Sequence, residues 1–282
     1  MLIGGPILKP FSSPEEWLAL VTEMNYNAVY FPLDYTAPDS LIDAYADCAR
    51  GSGLLIAEVG VWRNVLSPDA DEARSAVEYA KGQLLLADRV GAKCCVNISG
   101  SRGAQWDGPH QANFTKETFD MIVESVRGII DAVKPERTFY ALEPMPWMYP
   151  HTADSYLDLI KAIDRKAFAA HFDPVNIITN PFDYYRNSDI IREWFVKLGA
   201  HIKSCHAKDI CLEGQLTVHL NEKRPGLGIL NYTTYIQCLE QLPGVPMMTE
   251  HMDRHEDVVL ANEYIRSISS LTCEREAWND LE

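Results

Sequence analysis

The chain is short of positive charge, with 25 Lys and Arg residues against 40 Asp and Glu residues and a formal net charge of −15. No local basic cluster offsets this excess. A polyanion would be repelled overall, so we expect neither nucleic acid nor an anionic membrane surface as a partner. The sequence also has no run of about 18 apolar residues and no basic-then-apolar leader, which argues against a membrane span and a secretion signal.

The cysteines show no pattern of disulfide pairing or metal binding. They are seven in number, none belongs to a CxxC pair, and several lie in apolar segments. Buried reduced thiols in a soluble cytoplasmic protein explain such a set best. The residues are Cys48, Cys94, Cys95, Cys205, Cys211, Cys238 and Cys273.

Short runs rich in Val, Ile and aromatic residues alternate with longer amphipathic segments throughout the 282 residues. This alternation is typical of strand–helix units around a parallel sheet. The predicted strands begin near Leu2, Ala28, Leu54, Lys93, Thr138, Phe168, Ile202 and Val245. The predicted helices span residues 13–25, 39–51, 68–90, 115–134, 152–164, 188–198, 231–241 and 256–270.

Nothing in the composition divides the chain, since it has no linker, charge block or low-complexity segment. We therefore predict a single domain over residues 1–282. Eight strand–helix units in an α/β domain of this size predict a (β/α)8 TIM barrel, whose active sites lie at the carboxyl ends of the strands. An open doubly wound sheet is the alternative, and it would separate the first strand from the last.

Four polar residues follow the apolar runs of the last four predicted strands: Glu143, Asp173, His206 and Glu250. A buried carboxylate is costly unless something positive lies beside it. Each residue alone could be a satisfied core group, a cap or a turn. On four neighbouring strands, however, their side chains can converge on one cation. Three carboxylates and one imidazole suit Mn²⁺ best, with Mg²⁺ or Co²⁺ as alternatives, better than a zinc site built from thiolates.

A cation in such a site can bind two adjacent oxygens of a hydroxycarbonyl compound and stabilise an enediolate, while a neighbouring carboxylate removes a proton. The motifs around the four residues resemble the xylose-isomerase-like superfamily of sugar phosphate isomerases and epimerases. The resemblance covers nearly the whole chain in element order. The motifs are Leu142-Glu143-Pro144, Phe172-Asp173-Pro174-Val175-Asn176, His206-Ala207-Lys208-Asp209, Pro225-Gly226-Leu227-Gly228 and Thr249-Glu250.

The resemblance to the ketose 3-epimerase branch implies that Glu143 and Glu250 act as paired acid and base on a ketose or keto-sugar. Three positions depart from that branch: Asn176 replaces a frequent histidine, Tyr149 a glutamate and Leu212 an arginine. These departures leave two lyases open, one like the catalytic subunit of C-glycoside deglycosidases acting on a 3-keto-glycoside, and one like inosose dehydratases. A homo-oligomer or a small partner subunit is compatible with the family.

Further residues are candidates for substrate binding. Lys208, beside the metal histidine, could bind a substrate oxygen or form a salt bridge to Asp209 or another carboxylate. The remaining candidates are Asn176, His110, Trp147, Glu58 and Trp106, and both Glu58 and the lower-ranked Trp62 are expected to follow the third strand. The two tryptophans could stack on a sugar ring, and each could equally serve core packing. The Pro225-Gly226-Leu227-Gly228 segment predicts a tight turn before the seventh barrel helix.

Two hypotheses from other functional classes remain. Endonuclease IV resembles the superfamily in fold, but it needs more histidine ligands and a basic groove than this chain offers. A non-catalytic scaffold or regulator on the same barrel would be expected to have lost part of the metal set, which is complete here. The favoured substrate is an unphosphorylated sugar, because the sequence has no cluster of Arg and Lys.

Overall fold

The computed structural model describes the backbone of residues 1–279 and the side chains of residues 1–270. The strands in this part of the chain are β1 (Leu2–Gly4), β2 (Ala28–Tyr30), β3 (Leu55–Gly60), β4 (Cys94–Asn97), β5 (Tyr140–Leu142), β6 (Phe168–Phe172), β7 (Ile202–Ala207), β8 (Asp209–Glu213), β9 (His219–Lys223) and β10 (Pro246–Thr249). Eight of them form one parallel sheet in the order β1-β10-β7-β6-β5-β4-β3-β2.

The sheet closes into a barrel where β1 meets β2. The backbone N–H of Asn27 donates to the carbonyl of Ile3 at 3.1 Å, and the Ile3 N–H donates to Asn27 Oδ1 at 2.6 Å. One side chain therefore supplies part of the closure that strand pairing supplies at the other junctions. The predicted (β/α)8 barrel is confirmed, and the alternative of an open doubly wound sheet is wrong.

Helices surround the barrel and bury their apolar faces against it. They are α1 (Pro14–Glu23), α2 (Asp39–Gly51), α3 (Ala70–Val90), α4 (Lys116–Val133), α5 (Ala153–Ile163), α6 (Pro181–Tyr185), α7 (Asn187–Leu198), α8 (Tyr232–Glu240) and α9 (His255–Asn279). Capping residues fix several starts: the side chains of Ser13, Thr115 and Thr152 each accept a hydrogen bond from a backbone N–H of the first turn. Each of the eight predicted helices is present, with bounds within two residues of those expected, except that α9 continues to Asn279 instead of ending at residue 270.

The structure contains a short helix and a two-stranded hairpin that the sequence pattern did not predict. The short helix α6 precedes α7, and β8 and β9 form an antiparallel hairpin outside the barrel. The hairpin begins at Asp209, three residues after His206 in the chain, so it rises from the carboxyl end of β7. It thereby covers part of the face on which the four predicted metal ligands lie.

The six cysteines whose side chains are described are all free, and three of them, Cys94, Cys95 and Cys205, are buried in barrel strands. Cys273 lies outside the residues whose side chains are described. Within the described residues, no helix combines the length and the hydropathy that a membrane crossing requires.

Candidate active site

The carboxyl ends of four neighbouring barrel strands bring the predicted metal ligands together. Glu143 directly follows β5, Asp173 follows β6 and Glu250 follows β10. His206 lies inside β7, one residue before its end, rather than after it as expected. Each of the four side chains offers a ligand atom, and these atoms all lie within 4.8 Å of one another. The convergence predicted from the strand ends is thus present.

The imidazole of His206 is the centre of this group. Its Nδ1 lies 2.9 Å from Glu250 Oε2, 3.1 Å from Glu143 Oε1 and 3.9 Å from Asp173 Oδ2. The His206, Asp173 and Glu143 side chains are almost completely buried, and that of Glu250 is 12% exposed. Water therefore screens these charges little, so their interactions are strong.

Lys208, the residue directly after β7, completes the group. Its Nζ lies 2.7 Å from Asp173 Oδ2, 2.7 Å from Glu250 Oε1 and 4.0 Å from Glu143 Oε1. The same Nζ donates to Asn176 Oδ1 at 3.0 Å, and Asn176 Nδ2 donates to Glu143 Oε1 at 3.0 Å. The expected salt bridge of Lys208 is thus made to these carboxylates, and Asn176 links Lys208 to Glu143.

The position of Asp209 explains why it does not pair with Lys208. Its carboxylate accepts hydrogen bonds from the backbone N–H groups of Gly226 and Leu230, each at 2.9 Å. Gly226 has a φ of 91°, a conformation that favours glycine. The predicted turn before the seventh barrel helix is confirmed, and Asp209 holds it in place.

The buried charges shift one another's pKa values. Burial is the largest influence on Glu143 and Glu250 and opposes their ionisation, but the charges of His206 and Lys208 outweigh it and lower the pKa of both carboxyls. Burial, together with the charges of Glu143 and Glu250, raises the pKa of Asp173 to about 7 against the effect of Lys208. Burial lowers the pKa of His206, yet the surrounding anionic groups, Glu250 foremost, bring it well above its usual value.

The residues fit a divalent cation. They provide three hard carboxylate donors and one imidazole nitrogen, the donor set that Mn²⁺ and Mg²⁺ accept. Within the part of the chain whose side chains are described, Asp173 Oδ2 and Glu250 Oε1 are buried and make no contact with hydrogen-bond geometry, although Lys208 lies near both. Three carboxylates crowd around Lys208 and His206, and a cation bound between them would offset their mutual repulsion.

A cavity of about 890 Å³ opens directly above these groups. Trp106 and Trp147, both predicted to bind substrate, lie in its wall. The indole N–H of Trp147 donates to the carbonyl of Asp107 at 2.6 Å, which fixes the two tryptophan loops to each other. What Trp147 presents to the cavity is therefore mainly apolar carbon surface, the kind that packs against sugar C–H groups.

His110 lies apart from the cavity wall. It is exposed, and its Nδ1 accepts a hydrogen bond from the N–H of Ala112 at the start of a short 3-10 helix, Gln111–Phe114. The structure therefore assigns it a capping contact, and it does not bring His110 together with the other predicted site residues.

Three further residues border the cavity, and of these the sequence had singled out only Trp62, as a residue that follows the third strand. Tyr30 and Trp62 have ring centroids 6.3 and 6.4 Å from that of His206. Trp62 also has a φ of 48°, a left-handed conformation that is rare for a bulky residue. Its indole packs over Gly60, where an added Cβ would lie 2.2 Å from Trp62 Nε1. Because strained conformations cluster at functional sites, this is a structural signal that the sequence does not carry.

His251, which follows Glu250 in the chain, is the third of these residues. It also has a positive φ, of 55°, and its Nδ1 lies 3.0 Å from Glu222 of β9. The hairpin is thereby attached to the rim of the cavity. The sequence signal for the contact between His251 and Glu222 was the position of His251 directly after the candidate ligand Glu250.

Glu58 does not lie where the sequence suggested. It was expected to follow the third strand, but it lies within β3 and is only 1% exposed. Its carboxylate contacts His206 Nε2 at 3.3 Å, His171 Nε2 at 3.2 Å and Ser204 Oγ at 2.5 Å. The charges of both histidines outweigh burial, the largest influence, and hold the pKa of Glu58 far below its usual range.

A family model described as xylose isomerase-like TIM barrel matches residues 18–270. A xylose isomerase-like TIM barrel protein from Mycobacterium smegmatis, in complex with magnesium, is 18% identical with a TM-score of 0.66 over 91% of this chain and 89% of that one. A D-psicose 3-epimerase from Clostridium cellulolyticum H10, solved with D-tagatose, is 15% identical with a TM-score of 0.70 over 96% and 99% of the chains.

A 3-keto-D-glucoside 4-epimerase from E. coli, in its apo form, is 15% identical with a TM-score of 0.64 over 97% of this chain and 99% of that one. No curated protein sequence matches this chain significantly. At identities this low, the likeness to these solved structures shows a shared fold.

Proposed function

The chain belongs to the xylose isomerase-like TIM-barrel family, as its motifs predicted, and we propose that it is a divalent-metal-dependent isomerase or epimerase of a ketose or keto-sugar. The observation that carries this proposal is the convergence of ligand atoms from Glu143, Asp173, His206 and Glu250 within 4.8 Å at the base of a large cavity. Epimerases among its structural neighbours agree with it.

The four ligands would hold the cation, for which we propose Mn²⁺, with Mg²⁺ or Co²⁺ as alternatives. When bound, such an ion polarises a substrate carbonyl and stabilises negative charge that develops beside it. The rest of the chemistry belongs to side chains of the chain itself.

Glu143 and Glu250 are proposed to transfer the proton. Their oxygens lie 3.1 and 2.9 Å from the same nitrogen of His206, so both carboxylates border one small space. One of them removes a proton from the carbon next to the carbonyl to give an enediolate, and the other returns a proton, which inverts that centre. The charges of His206 and Lys208 lower the pKa of both carboxyls, so each can be ionised when it acts as the base. The carboxyl that acts as the acid first takes a proton from solvent, and the base releases its proton to solvent after turnover.

The cavity favours an unphosphorylated substrate. Among the described residues that line it there is no Lys or Arg, while Asp34, Asp107, Glu222 and Asp253 border its outer part. A phosphate group would therefore meet negative charge rather than the cationic or bidentate partners that usually bind it. Trp62, next to His206, is proposed as the surface against which the sugar ring packs.

A second candidate function, a lyase or epimerase acting on a keto-glycoside, is favoured by the size of the cavity. A hexose has about twelve heavy atoms, and even at the roughly 30 Å³ that each water claims in the liquid it would take about 360 Å³. The cavity has about 890 Å³. The remaining space, beside Trp106 and Trp147, would accommodate a second group attached to the sugar.

The test combines metal analysis of the purified protein with proton exchange in D₂O, using Mn²⁺ and a panel of ketoses, 3-keto-glycosides and inososes. We expect bound metal, and deuterium at the carbon whose configuration changes. Loss of an aglycone or of water would move the assignment to a lyase. Treatment with a chelator should stop exchange, and Mn²⁺ should restore it. A protein that binds no metal and exchanges no proton with any of these compounds would support the scaffold alternative.

A further inference from the structure

A polar cluster lies inside the barrel, beneath the candidate metal ligands. It consists of Glu58 on β3, His171 on β6 and Ser204 on β7, none of them more than 1% exposed. The two oxygens of Glu58 have separate partners. Oε1 accepts from Ser204 Oγ and contacts His171 Nε2, whereas Oε2 contacts His206 Nε2.

The barrel strands are irregular at the two places that build this cluster. Between the pairs Val29–Ile56 and Tyr30–Glu58, strand β3 has one extra residue, Ala57. Ile56 packs in the main core, whereas Ala57 packs with Ala28 inside the barrel. Because side chains along a regular strand alternate between its two faces, Glu58 would then point outward. The extra residue reverses the alternation, and Glu58 points inward.

A second irregularity lies on β7, which has one extra residue, Lys203, between the pairs Ala170–Ile202 and His171–Ser204. This extra residue orients the Ser204 side chain toward the Glu58 carboxylate. Bulges disturb strand pairing and commonly re-aim a side chain beside an active site. Two of them serving one buried carboxylate indicate that Glu58 has a function beyond filling space.

The ring of His206 spans the gap between this cluster and the metal ligands. Its Nε2 faces Glu58 at 3.3 Å, and its Nδ1 faces Glu250 and Glu143 at 2.9 and 3.1 Å. A neutral imidazole carries its proton on one nitrogen only, and a hydrogen bond from that nitrogen decides which one it is. With a carboxylate holding the proton on Nε2, the Nδ1 lone pair would be left for a cation shared with Glu250 and Glu143.

We propose that Glu58 is a positioning residue: it holds the proton of His206 on Nε2, so that Nδ1 is the atom offered to the metal. Ser204 and His171 in turn hold the other oxygen of Glu58. The inference rests on the proposed metal centre and replaces the expectation that Glu58 contacts substrate. It makes no use of Glu58 as an acid or base.

The experiment compares Mn²⁺ affinity of the full chain by titration calorimetry in Glu58→Gln, Ser204→Ala and Glu222→Gln. Glu222→Gln is the matched control, because it removes one carboxylate 3.6 Å from Lys208 Nζ without touching His206. Loss of an outer partner of a metal ligand typically weakens affinity about 10–100-fold. We expect that loss for Glu58→Gln, and a smaller one for Ser204→Ala, which leaves the bond from Glu58 to His206 in place.

A folded Glu58→Gln variant that binds Mn²⁺ as tightly as the unmodified protein, or that loses no more affinity than Glu222→Gln, would overturn the inference. Should Glu58→Gln not fold, ¹⁵N NMR of His206 in the Mg²⁺-loaded unmodified protein decides: the proton must lie on Nε2, and a proton on Nδ1 contradicts the proposal. If the unmodified protein binds no divalent metal, the proposed function fails first and this inference with it.

Discussion

The base and the wall of the cavity are built in different ways. The base consists of Glu143, His206 and Glu250 at or beside strand ends, with Asp173 and Lys208 directly behind them, and these residues contact one another through charges. The wall includes Tyr30, Trp62, Trp106 and Trp147, which contribute aromatic rings from the end of a strand and from loops. The base therefore depends on mutual compensation of charge, whereas each ring of the wall acts largely by itself.

This difference separates two tasks. Buried charges that depend on each other are sensitive to the loss of any one member, because the partner is left uncompensated. Aromatic surface contributes contact area that a similar ring can replace in part. We infer that the base performs the chemistry and the wall selects the substrate, and the variants below test that division.

The largest effect is expected from the proposed acid and base. Glu143→Gln and Glu250→Gln should each reduce kcat by about 10²–10⁴-fold, because an amide of the same shape cannot exchange the proton. Turnover and deuterium incorporation measure the loss, with metal content determined in parallel. Glu213→Gln on the β8–β9 hairpin, outside the cavity lining, is the control and should be neutral. A glutamine variant that retains full turnover would remove that glutamate from the proposed pair.

The next largest effect is expected from His206→Ala, which removes the group at the centre of the base. Metal affinity should fall by more than the roughly 10–100-fold typical for an outer partner, because a direct ligand is lost. Elemental analysis after dialysis measures it. Wild-type metal content in this variant would mean that the three carboxylates bind the ion without the imidazole.

A smaller and different effect is expected from the wall. Trp62→Ala should raise KM about tenfold, which corresponds to about 1.4 kcal/mol, with kcat nearly unchanged. The reason is that the ring is expected to bind the substrate and the transition state equally well. Trp62→Phe, which keeps a ring, is the matched control and should recover most of the affinity. A fall in kcat at constant KM would place Trp62 with the chemistry and break the division between base and wall.

The smallest effect on function is expected where the barrel closes. Asn27→Ala removes the acceptor of the Ile3 N–H and should lower the free energy of unfolding by about 1–2 kcal/mol. Urea denaturation measures this change, and Asn27→Asp, which keeps an acceptor oxygen, should lose less. The kcat of both variants should equal that of the unmodified protein. A loss of turnover would show that closure of the barrel and the arrangement of the base are coupled.

The sequence predicted the base much better than the wall. Carboxylates directly after apolar runs are unusual, so Glu143, Asp173 and Glu250 were visible without a structure. Aromatic residues near strands are common, and the sequence alone does not distinguish one that packs in the core from one that lines a cavity. The left-handed conformation of Trp62, which sets its ring beside His206, arises from the tertiary fold and has no counterpart in residue order.

Glu58 was found as a residue of interest and placed wrongly, because strand ends are uncertain by a few residues in a sequence. Its place in the middle of the apolar run Leu55–Gly60 was the better signal, since a charge there must be paired. The β8–β9 hairpin was missed because its strands, Asp209–Glu213 and His219–Lys223, are largely polar and lie outside the barrel.

The buried cluster of Glu58, His171 and Ser204 also has a meaning for how such barrels diverge. Replacing buried ionic groups by apolar residues of similar volume is often neutral or stabilising by roughly 1–4 kcal/mol. A lineage freed from catalysis would therefore gain robustness by filling this space with aliphatic side chains, and selection for stability alone would not retain the charge. We expect the inward-pointing residue at the β3 bulge to distinguish, among barrels of this family, those still under selection for metal binding from those that have become scaffolds.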